Sequence, residues 1–467
     1  MLDFAPILLK DAARLYKYYK HCTYRLCEYS AGVKLMWRHH YHSEYTECHD
    51  CLVVLTKHGE NEYVFNVPVP LPGKGDVDKA LDEIDEWCVC KGIMPVFSPV
   101  PVEERERLLR RYPYTAIENV RLWQDYLYNA EDLSTFAGRR YSGQRNHINK
   151  FRKLYEGARF IPLTAEDKPR VEAFWDEFHE TFNKTTSLAK KEVCYARKIT
   201  RQIGKSWVKA GAIEYDGKLI SLALGEVCGD TLICHIEKAL PGYEGVYPAT
   251  VQAYSAHFSQ GLRFINREDD ACEKGLRTSK LQYLPAAMGE KMRISTRNEL
   301  SFVDAIPSFQ SERLTLDAIG EADKEAYNRL CLDDARNRWW GYDYRQDLFE
   351  ELTEDYFLNV TRRDFAAKLA INFAIRLDGK FIGETVVYRF NARGEAELGC
   401  RILPEYAGNG YGAEAFRATA EWTLYSLGLK RLMAKCYHEN EASRRMLSAC
   451  MRPCGEDELF YFFEKTV

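Results

Sequence analysis

One stretch of the chain, residues 398–417, has the residue order of an anion-binding loop. An apolar run ends at Pro404, three glycines follow at alternate positions (Gly408, Gly410 and Gly412), and an alanine-rich helical pattern begins at once. Glycines let successive backbone N–H groups converge on one anion, and the positive end of the helix dipole points to the same place. The order of strand, glycine loop and helix predicts a phosphate ligand.

The position of this loop near the C-terminus narrows the kind of domain that holds it. A dinucleotide-binding loop of the Rossmann type opens its domain and is followed by several βα units. Only 55 residues follow Gly412. The loop therefore belongs to the end of a small domain.

Length and composition predict a multidomain globular protein. The chain has 467 residues, of which 46% are hydrophobic, and this is too long for one core. The formal net charge is only -4. No overall positive field therefore favours bulk binding to nucleic acid or to a membrane surface, and any such partner must meet a local patch.

The N-terminus and the cysteines predict a cytoplasmic protein. The first residues lack the basic region and cleavage site of a signal peptide, and no later window has the roughly 18 consecutive apolar residues of a spanning helix. Fifteen cysteines are then expected as reduced thiols. Cys48 and Cys51 have the CxxC spacing of a metal or redox site, but no second CxxC completes a ligand set. We therefore predict no bound metal.

Residues 138–153 form a purely basic segment, with six Arg or Lys residues and no acid. Helical spacing places Arg145 and Arg152 near one face and leaves Ile148 and Phe151 available for burial. The segment is interpreted either as a solvated helix face or as a dock for phosphates, such as those of tRNA.

An internal repeat organises the second and last thirds of the chain. The sequence YDGKLI at residues 215–220 matches LDGKFI at residues 377–382. A Leu-Pro-x-Tyr pattern begins 24 residues after Asp216 and again 25 residues after Asp378. Agreement in both residues and spacing indicates one domain type present at least twice.

The repeat and the alternation of helical and extended patterns set the predicted domains. Residues 1–135 are expected to be a degenerate copy, 136–295 a second copy, 296–311 a linker, and 312–467 the copy that carries the glycine loop. Each copy is expected to be a three-layer α/β (α+β) unit, with a mixed central sheet flanked by helices.

The last third of the chain resembles a GNAT N-acetyltransferase of the RimJ/RimL type. The matching features, in the order of that family, are Arg313 and Leu314, the strand AELGCRILP, the loop AGNGYG and the segment NEASRRML. The resemblance implies acetyl-CoA as cofactor and an amine as acceptor. It implies that the backbone of Ile402 and Leu403 meets the pantetheine arm. The loop would then hold the pyrophosphate, through Ala407, Gly408, Asn409, Gly410, Tyr411 and Gly412.

The same resemblance suggests Glu397 as general base and Asn440 as a further cofactor contact. The alternative for Glu397 is an exposed strand carboxylate, and the alternative for Asn440 is a helix N-cap. The family loop usually begins with Gln or Arg, where this chain has Ala407. Many of these enzymes also have a tyrosine general acid at the position of Leu447. Cofactor binding is therefore better supported than any general acid.

Three aromatic residues precede the glycine loop in a segment of their own, namely Trp339, Trp340 and Tyr342. They are interpreted either as core residues or as the lining of an acceptor pocket.

The first 295 residues resemble the phosphatidylglycerol lysyltransferase C-terminal-domain family. The matching segments include QDYLYNAEDLSTFAGRR, HIEKALPGYEGVY and FINREDDACEKGLRTSKLQYLPAAM. That family is built of paired GNAT-like units, and its characterised relatives move an aminoacyl group from tRNA to a lipid headgroup. Those lipid enzymes join this domain to a multi-span membrane region, which is not found in this sequence.

A dense polar set accompanies the second resemblance. It is interpreted either as a salt-bridged core network or as a site for an amine or a second acyl donor. Its members are Glu237, Lys238, Asn266, Arg267, Glu268, Asp269, Arg277 and Lys280, and Arg145 and Arg152 of the basic segment are further candidates for this second site.

Three functions follow from these features. The first is an acyltransferase that moves acetyl from acetyl-CoA to an amine in the last domain, with the front units binding acceptor or a second acyl donor. The second is an aminoacyl-tRNA-dependent aminoacyltransferase acting on a lipid headgroup or another amine or hydroxyl acceptor. The third is a non-catalytic acyl-CoA-binding protein, which Leu447 in place of a tyrosine favours.

Overall fold

The computed structural model describes residues 2–59, 62–119, 121–182, 187–340, 344–346, 348 and 352–467. The chain divides into two compact units. Unit 1 comprises Met1–Glu83, Val96–Glu106 and Ile117–Ile294. Unit 2 comprises Ile84–Pro95, Arg107–Ala116 and Ser295–Val467.

The strands, in chain order, are β1 (Ala5–Pro6), β2 (Glu44–Cys48), β3 (Cys51–His58), β4 (Glu62–Phe65), β5 (Val69–Pro70), β6 (Val96–Val100), β7 (Thr115–Asn119), β8 (Asp125–Asn129), β9 (Arg159–Pro162), β10 (Lys209–Tyr215), β11 (Lys218–Cys228), β12 (Thr231–Ala239), β13 (Phe264–Asn266), β14 (Ala287–Gly289), β15 (Met292–Thr296), β16 (Phe309–Gln310), β17 (Leu314–Ala318), β18 (Ala370–Leu377), β19 (Lys380–Tyr388), β20 (Glu395–Ile402), β21 (Arg431–Tyr437), β22 (Arg452–Glu456) and β23 (Phe460–Thr466).

The α-helices are α1 (Ala12–Tyr19), α2 (Ala31–Trp37), α3 (Val77–Lys91), α4 (Val102–Arg111), α5 (Ala130–Thr135), α6 (Ser142–Leu154), α7 (Lys168–Thr181), α8 (Ser187–Thr200), α9 (Val246–Phe258), α10 (Lys274–Leu281), α11 (Lys324–Leu332), α12 (Asp334–Asn337), α13 (Tyr356–Ala366), α14 (Tyr411–Glu421) and α15 (Glu441–Cys450). Within the described ranges, none of the helices combines the length and the apolar character needed to cross a bilayer.

The strands form three sheets. The first has the order β1-β2-β3-β4-β6-β15-β7, with β5 beside β3. The second, in unit 1, has the order β14-β8-β13-β12-β11-β10-β9. The third, in unit 2, has the order β16-β17-β18-β19-β20-β21-β23-β22.

The second sheet is buried on both faces, which explains its long apolar strands. Along β11, Leu222 and Leu224 pack into one core with helices α1, α2, α7 and α8. The intervening residue Ala223 packs into another core with α5, α6 and α9, as does Ile220, the extra residue of a β-bulge. Successive side chains of a strand point to opposite faces, so the sheet is the middle of three layers. The prediction of a three-layer α/β fold with mixed sheets is confirmed.

The predicted repeat is visible as two nearly identical hairpins. Asp216 and Gly217 join β10 to β11 with φ values of 50° and 77°, and Asp378 and Gly379 join β18 to β19 with 47° and 81°. Positive φ at both central residues defines the tight turn whose twist suits a hairpin. Each hairpin also has a bulge four residues after the aspartate, with Ile220 and Ile382 as the extra residues.

The two copies continue alike beyond the hairpin. In unit 1 an antiparallel strand, β12, is followed by α9 and by β13, which pairs with β12 in parallel. In unit 2 the corresponding elements are β20, α14 and β21. One backbone plan therefore serves both copies, and the side chains distinguish them.

Candidate functional site

The glycine loop of unit 2 is an open cradle of backbone donors. Gly408 and Gly410 have φ values of 82° and 81°, which only glycine adopts without strain. Among the described residues, the N–H groups of residues 408–413 donate to no protein acceptor. A Cβ built on Gly408 would meet nothing within 4 Å. Converging donors, a helix N-terminus and open space together make a site for an anion.

The strand before the loop separates from its neighbour. β20 and β21 pair in parallel only from Glu395 opposite Arg431 to Glu397 opposite Met433. Residues 398–402 of β20 continue beyond that pairing, while their other edge pairs with β19 and Leu403 donates to the carbonyl of Ile382. The edge of β20 that faces β21, including Ile402, is therefore left to water or a ligand.

Asn440 caps the last helix, as its position before EASRRML predicts. Its Oδ1 accepts a hydrogen bond from the Ser443 N–H at 3.1 Å. Among the described residues its Nδ2 has no acceptor, so the amide is still able to donate to a ligand. Leu447, at the position of the expected general acid, is 2% exposed and packs in the core of unit 2. The α15 helix thus supplies no proton donor at that position.

Glu397 is held by two neighbours. Its Oε1 lies 2.8 Å from Nε of Arg389, and its Oε2 accepts a hydrogen bond from the Tyr388 hydroxyl at 3.1 Å. Burial, followed by the charge of Glu397, raises the pKa of Tyr388 well above its usual value, so this phenol keeps its proton. This cluster therefore contains a neutral hydroxyl that is hydrogen-bonded to a carboxylate.

The same face of β20 carries a buried ion pair that the sequence did not reveal. Arg401 pairs with the fully buried Glu384, and its Nη1 donates to Asn337 Oδ1 at 2.9 Å. The Trp340 ring lies 4.5 Å from the Arg401 guanidinium and covers Gly399, where an added Cβ would come within 3.0 Å of the ring. The ion pair and the indole form one wall beside the diverging strands.

The aromatic segment divides accordingly. Trp339 lies 5.9 Å from the ring of Tyr437, at the end of β21. The Trp340 ring packs against Gly399 and Arg401 of β20. Tyr342 lies outside the described residues. The two tryptophans therefore face the same pair of strands that bears the glycine loop.

The corresponding loop of unit 1 is covered. Gly242 and Gly245 keep positive φ values of 89° and 81°, but a Cβ on Gly245 would lie 2.5 Å from the carbonyl oxygen of His147 in α6. The Tyr155 hydroxyl donates to the Gly242 carbonyl and accepts from the Glu244 N–H. Helix α6, the predicted basic segment, thus occupies the space that an anion would need.

The diverging strands of unit 1 are also joined by side chains. β12 pairs with β13 only from Thr231 to Ile233, as its counterpart does in unit 2. Beyond that point Nδ1 of His235 lies 2.8 Å from Glu268, and Glu237 accepts from Nε of Arg267 at 3.0 Å. Both partners follow β13. Ion pairs therefore fill the gap that is open in unit 2.

Other predicted second-site residues, from the polar set and from the basic segment, have partners outside this gap. Lys238 pairs with Glu192, and Arg277 pairs with Asp270. Arg145 donates to the carbonyls of Phe136 and Gly138 at the end of α5. Arg152 donates to Gln252. The predicted burial of Ile148 and Phe151 is confirmed, with 2% and 4% exposed.

A buried charged cluster in unit 1 joins Asn266 and Asp269 of the predicted polar set to Lys291, Asp125 and Glu28, which the sequence analysis missed. The Lys291 ammonium lies 2.7 Å from Asp125 and 2.8 Å from Glu28, and 3.9 Å from Asp269. Asn266, a predicted member, donates to Asp125 at 2.8 Å. These residues come from four distant segments, so no sequence motif could have grouped them.

The charges in this cluster and its surroundings perturb two lysines. Burial disfavours the ammonium of Lys291, but Asp125 and its acidic neighbours hold its pKa well above the usual value. Nearby, burial lowers the pKa of Lys34 to about 8, and its ammonium donates to the amide oxygen of Asn66. Perturbed groups concentrated in one place are typical of functional sites.

Cys48 and Cys51 do not belong to the group of described residues that has metal-ligand geometry. Cys48 and Cys51 are cross-strand partners on either side of a two-residue hairpin turn. Within the described ranges, one group has metal-ligand geometry, formed by Cys27, Glu28 and Asp125. The Lys291 ammonium already lies within 2.8 Å of both carboxylates. That positive charge occupies the position a cation would take.

Comparisons with known proteins match two separate parts of the chain. Residues 21–293 match the family described as phosphatidylglycerol lysyltransferase, C-terminal, and residues 313–450 match the acetyltransferase (GNAT) domain. The first match spans more than half of the chain. The chain belongs to the phosphatidylglycerol lysyltransferase C-terminal-domain family and carries an additional GNAT domain.

Individual relatives match each part. The uncharacterised N-acetyltransferase YoaA of Bacillus subtilis is 27% identical over 144 residues, covering 30% of this chain and 80% of the relative. The uncharacterised N-acetyltransferase YnaD of the same organism is 29% identical over 102 residues, covering 22% of this chain and 59% of the relative. A conserved protein of unknown function from Bacteroides thetaiotaomicron is 25% identical with a TM-score of 0.56, covering 64% of this chain and all of that protein.

These matches define the general class. The protein is an acyltransferase, and its C-terminal domain is of the kind that uses an acyl-CoA donor.

The charge of His235 makes a testable contribution to stability. Burial alone would lower its pKa, but hydrogen bonds to Glu226 and Glu268 raise it to about 9. A folded pKa above the unfolded value of about 6.5 gives stability that is complete below that value and is lost as the pH rises through about 9. The contribution to the free energy of unfolding is on the order of 3 kcal/mol.

We expect His235→Gln to remove this pH dependence. Urea unfolding of both proteins between pH 6 and pH 10 measures it, since the wild-type advantage should shrink as the pH rises. A constant difference between the two proteins across that range would contradict the assignment of charge to His235.

Proposed function

We propose that unit 2 transfers an acetyl group from acetyl-CoA to an amine acceptor. The proposal depends on one observation: the unused backbone edge of β20 runs directly into an uncovered anion cradle, and both lie in the domain that matches the GNAT family. In unit 1 the same two features are closed by side chains.

The residues present fit this cofactor. The N–H groups of residues 408–413 would hold the pyrophosphate, and the free edge of β20 up to Ile402 would pair with the amides of the pantetheine arm. The backbone of Leu403, also predicted for this role, is already engaged, since its N–H donates to Ile382 and its carbonyl accepts from Tyr406. Asn440 would donate through Nδ2. When bound, the cofactor supplies a thioester carbonyl that an amine attacks.

Glu397 is proposed as the proton acceptor, acting through the Tyr388 hydroxyl. The acceptor amine must lose a proton as it attacks, and the Tyr388 hydroxyl would take it while passing its own proton to Oε2 of Glu397. We expect Glu397→Gln to lower kcat about 100-fold with little change in KM for acetyl-CoA. The control is Glu395→Gln, two residues earlier on the same face. Equal losses in both variants would show that the effect is structural.

Cofactor binding is tested by a glycine substitution with a matched control. Gly410→Asp brings a carboxylate to the cradle, and we expect it to abolish acetyl-CoA binding measured by isothermal titration. Gly379→Asp is the control, because Gly379 has the same φ of 81° in a hairpin turn and an added Cβ there meets nothing within 4 Å, while at Gly410 it meets only the end of Arg313 at 3.5 Å. No binding by the wild type, or equal loss in both variants, would refute the proposal. Binding without thioester turnover across a panel of amines would instead favour an acyl-CoA-binding protein.

A second activity is favoured in unit 1 by its family match and its charged cluster. Side chains of Glu28 and Asp269 are 26% and 34% exposed beside the buried Lys291, so the cluster exposes more acid than base. Excess carboxylate suits the ammonium group of an aminoacyl moiety. We propose that unit 1 takes an aminoacyl group from charged tRNA to an amine or hydroxyl acceptor, such as a lipid headgroup.

This second activity predicts salt-sensitive retention of charged tRNA. Arg152 and Lys153 are exposed on α6, and the double change to alanine should reduce the slope of log affinity against log salt by about 2. The control is the double change of Lys190 and Lys191 to alanine on α8. The measurement is filter binding across a salt series. Retention that both double variants leave unchanged would contradict a tRNA contact at α6.

A further inference from the structure

No side chain of the glycine loop itself is cationic. The loop reads Ala407, Gly408, Asn409, Gly410, Tyr411 and Gly412, so its own contribution to phosphate binding is limited to backbone N–H groups. Sites for phosphates commonly add at least one Arg or Lys, because charge-assisted hydrogen bonds are roughly twice as strong as neutral ones. A cation at this loop must come from another element.

Arg313 reaches the loop from the turn before β17. Its guanidinium lies 4.6 Å from the ring centroid of Tyr411, and its Nη1 donates to the Asn409 carbonyl at 3.3 Å. Its Nη2 would be 3.5 Å from a Cβ built on Gly410. The side chain remains 44% exposed. The guanidinium therefore borders the cradle of free N–H groups.

The position of Arg313 is fixed by Glu414 in the first turn of α14. Nε of Arg313 donates to Oε2 of Glu414 at 2.7 Å, and the other oxygen accepts from the Arg313 N–H at 2.7 Å and from the Ser311 hydroxyl at 2.6 Å. Burial alone would raise the pKa of Glu414, but these hydrogen bonds keep it below its usual value. The carboxylate is thus ionised and orients the guanidinium without using all of its donors.

The donor count leaves capacity for a ligand. A guanidinium has five N–H groups. The Nε–H group donates to Glu414, and one N–H of Nη2 is directed to the same carboxylate, 2.7 Å away. One N–H of Nη1 donates to the Asn409 carbonyl. One N–H on each terminal nitrogen therefore has no acceptor among the described residues. Both belong to the exposed end of the side chain, next to Gly410.

We propose that Arg313 is the cationic phosphate ligand of this site, supplied from a segment about a hundred residues before the loop. It binds phosphate oxygens of coenzyme A, while Glu414 holds it in place. The assignment rests on the proposed acetyl-CoA site and adds the residue that distinguishes phosphate-bearing ligands from pantetheine alone.

Isothermal titration of the full-length protein with three probes tests this role. The probes are coenzyme A, dephospho-coenzyme A, which lacks the 3′-phosphate, and pantetheine, which lacks all phosphates. We expect Arg313→Ala to weaken coenzyme A binding about tenfold and to leave pantetheine binding unchanged. If the loss persists with dephospho-coenzyme A, the contact is to the pyrophosphate. If it disappears, the contact is to the 3′-phosphate.

Glu414→Gln separates a ligand role from a structural one. It removes a negative charge near the phosphates, but its amide oxygen is still able to accept the hydrogen bond from Nε that orients the guanidinium. Coenzyme A should therefore bind at least as tightly as to wild type. If the ion pair only stabilises the fold, Glu414→Gln should weaken binding as Arg313→Ala does.

The inference is overturned if Arg313→Ala binds coenzyme A as wild type does, if it loses pantetheine to the same extent, or if Glu414→Gln weakens coenzyme A binding. A wild type that binds neither coenzyme A nor pantetheine overturns the proposed acetyl-CoA site, and this assignment with it.

Discussion

A backbone edge that the sheet does not use is the constraint on which the account of unit 2 depends. Backbone N–H and C=O groups are obligatory hydrogen-bonding partners, and a parallel ladder normally satisfies them in both strands. β20 leaves that ladder after Glu397 yet continues to Ile402. Its free edge must bind water or a ligand whose own amides have the spacing of a strand. The glycine cradle at the end of the same strand adds an anion site, so the two features together suit a ligand with an amide arm and phosphates.

Unit 1 shows how the same backbone plan is diverted from that use. Arg267 and Glu268 follow β13 and face β12 across the gap. Arg267 donates a hydrogen bond to Glu237, and His235 is hydrogen-bonded to Glu268. Buried ion pairs of this kind add little net stability over apolar residues, but removing one partner is costly. These ion pairs hold the diverging strands of unit 1 at a fixed separation. The loop of unit 1 that corresponds to the glycine cradle is covered by α6. The charged cluster around Lys291 is separate from these ion pairs, since it is formed with Asp125 and Glu28.

Much of the fold was predictable because the signals were local. The Asp-Gly pairs predict both hairpin turns. The N-cap at Asn440 is predicted from the four residues between Asn440 and Ser443. The cluster of Lys291, Asp125 and Glu28 was not predictable, because its members are joined only by the fold. The pairing of Arg313 with Glu414 likewise spans about a hundred residues. The basic segment at α6 was interpreted from its charge, whereas its position over the unit 1 loop depends on Tyr155 and His147.

The most direct test of the central claim is hydrogen–deuterium exchange of the full chain with and without acetyl-CoA. The account predicts slower exchange at residues 408–413 and along 398–402 when the ligand is present, because those N–H groups gain acceptors or lose water. It predicts no change at the start of α9, where the equivalent loop is covered. Protection at α9, or none at residues 408–413 with saturating ligand, would contradict it.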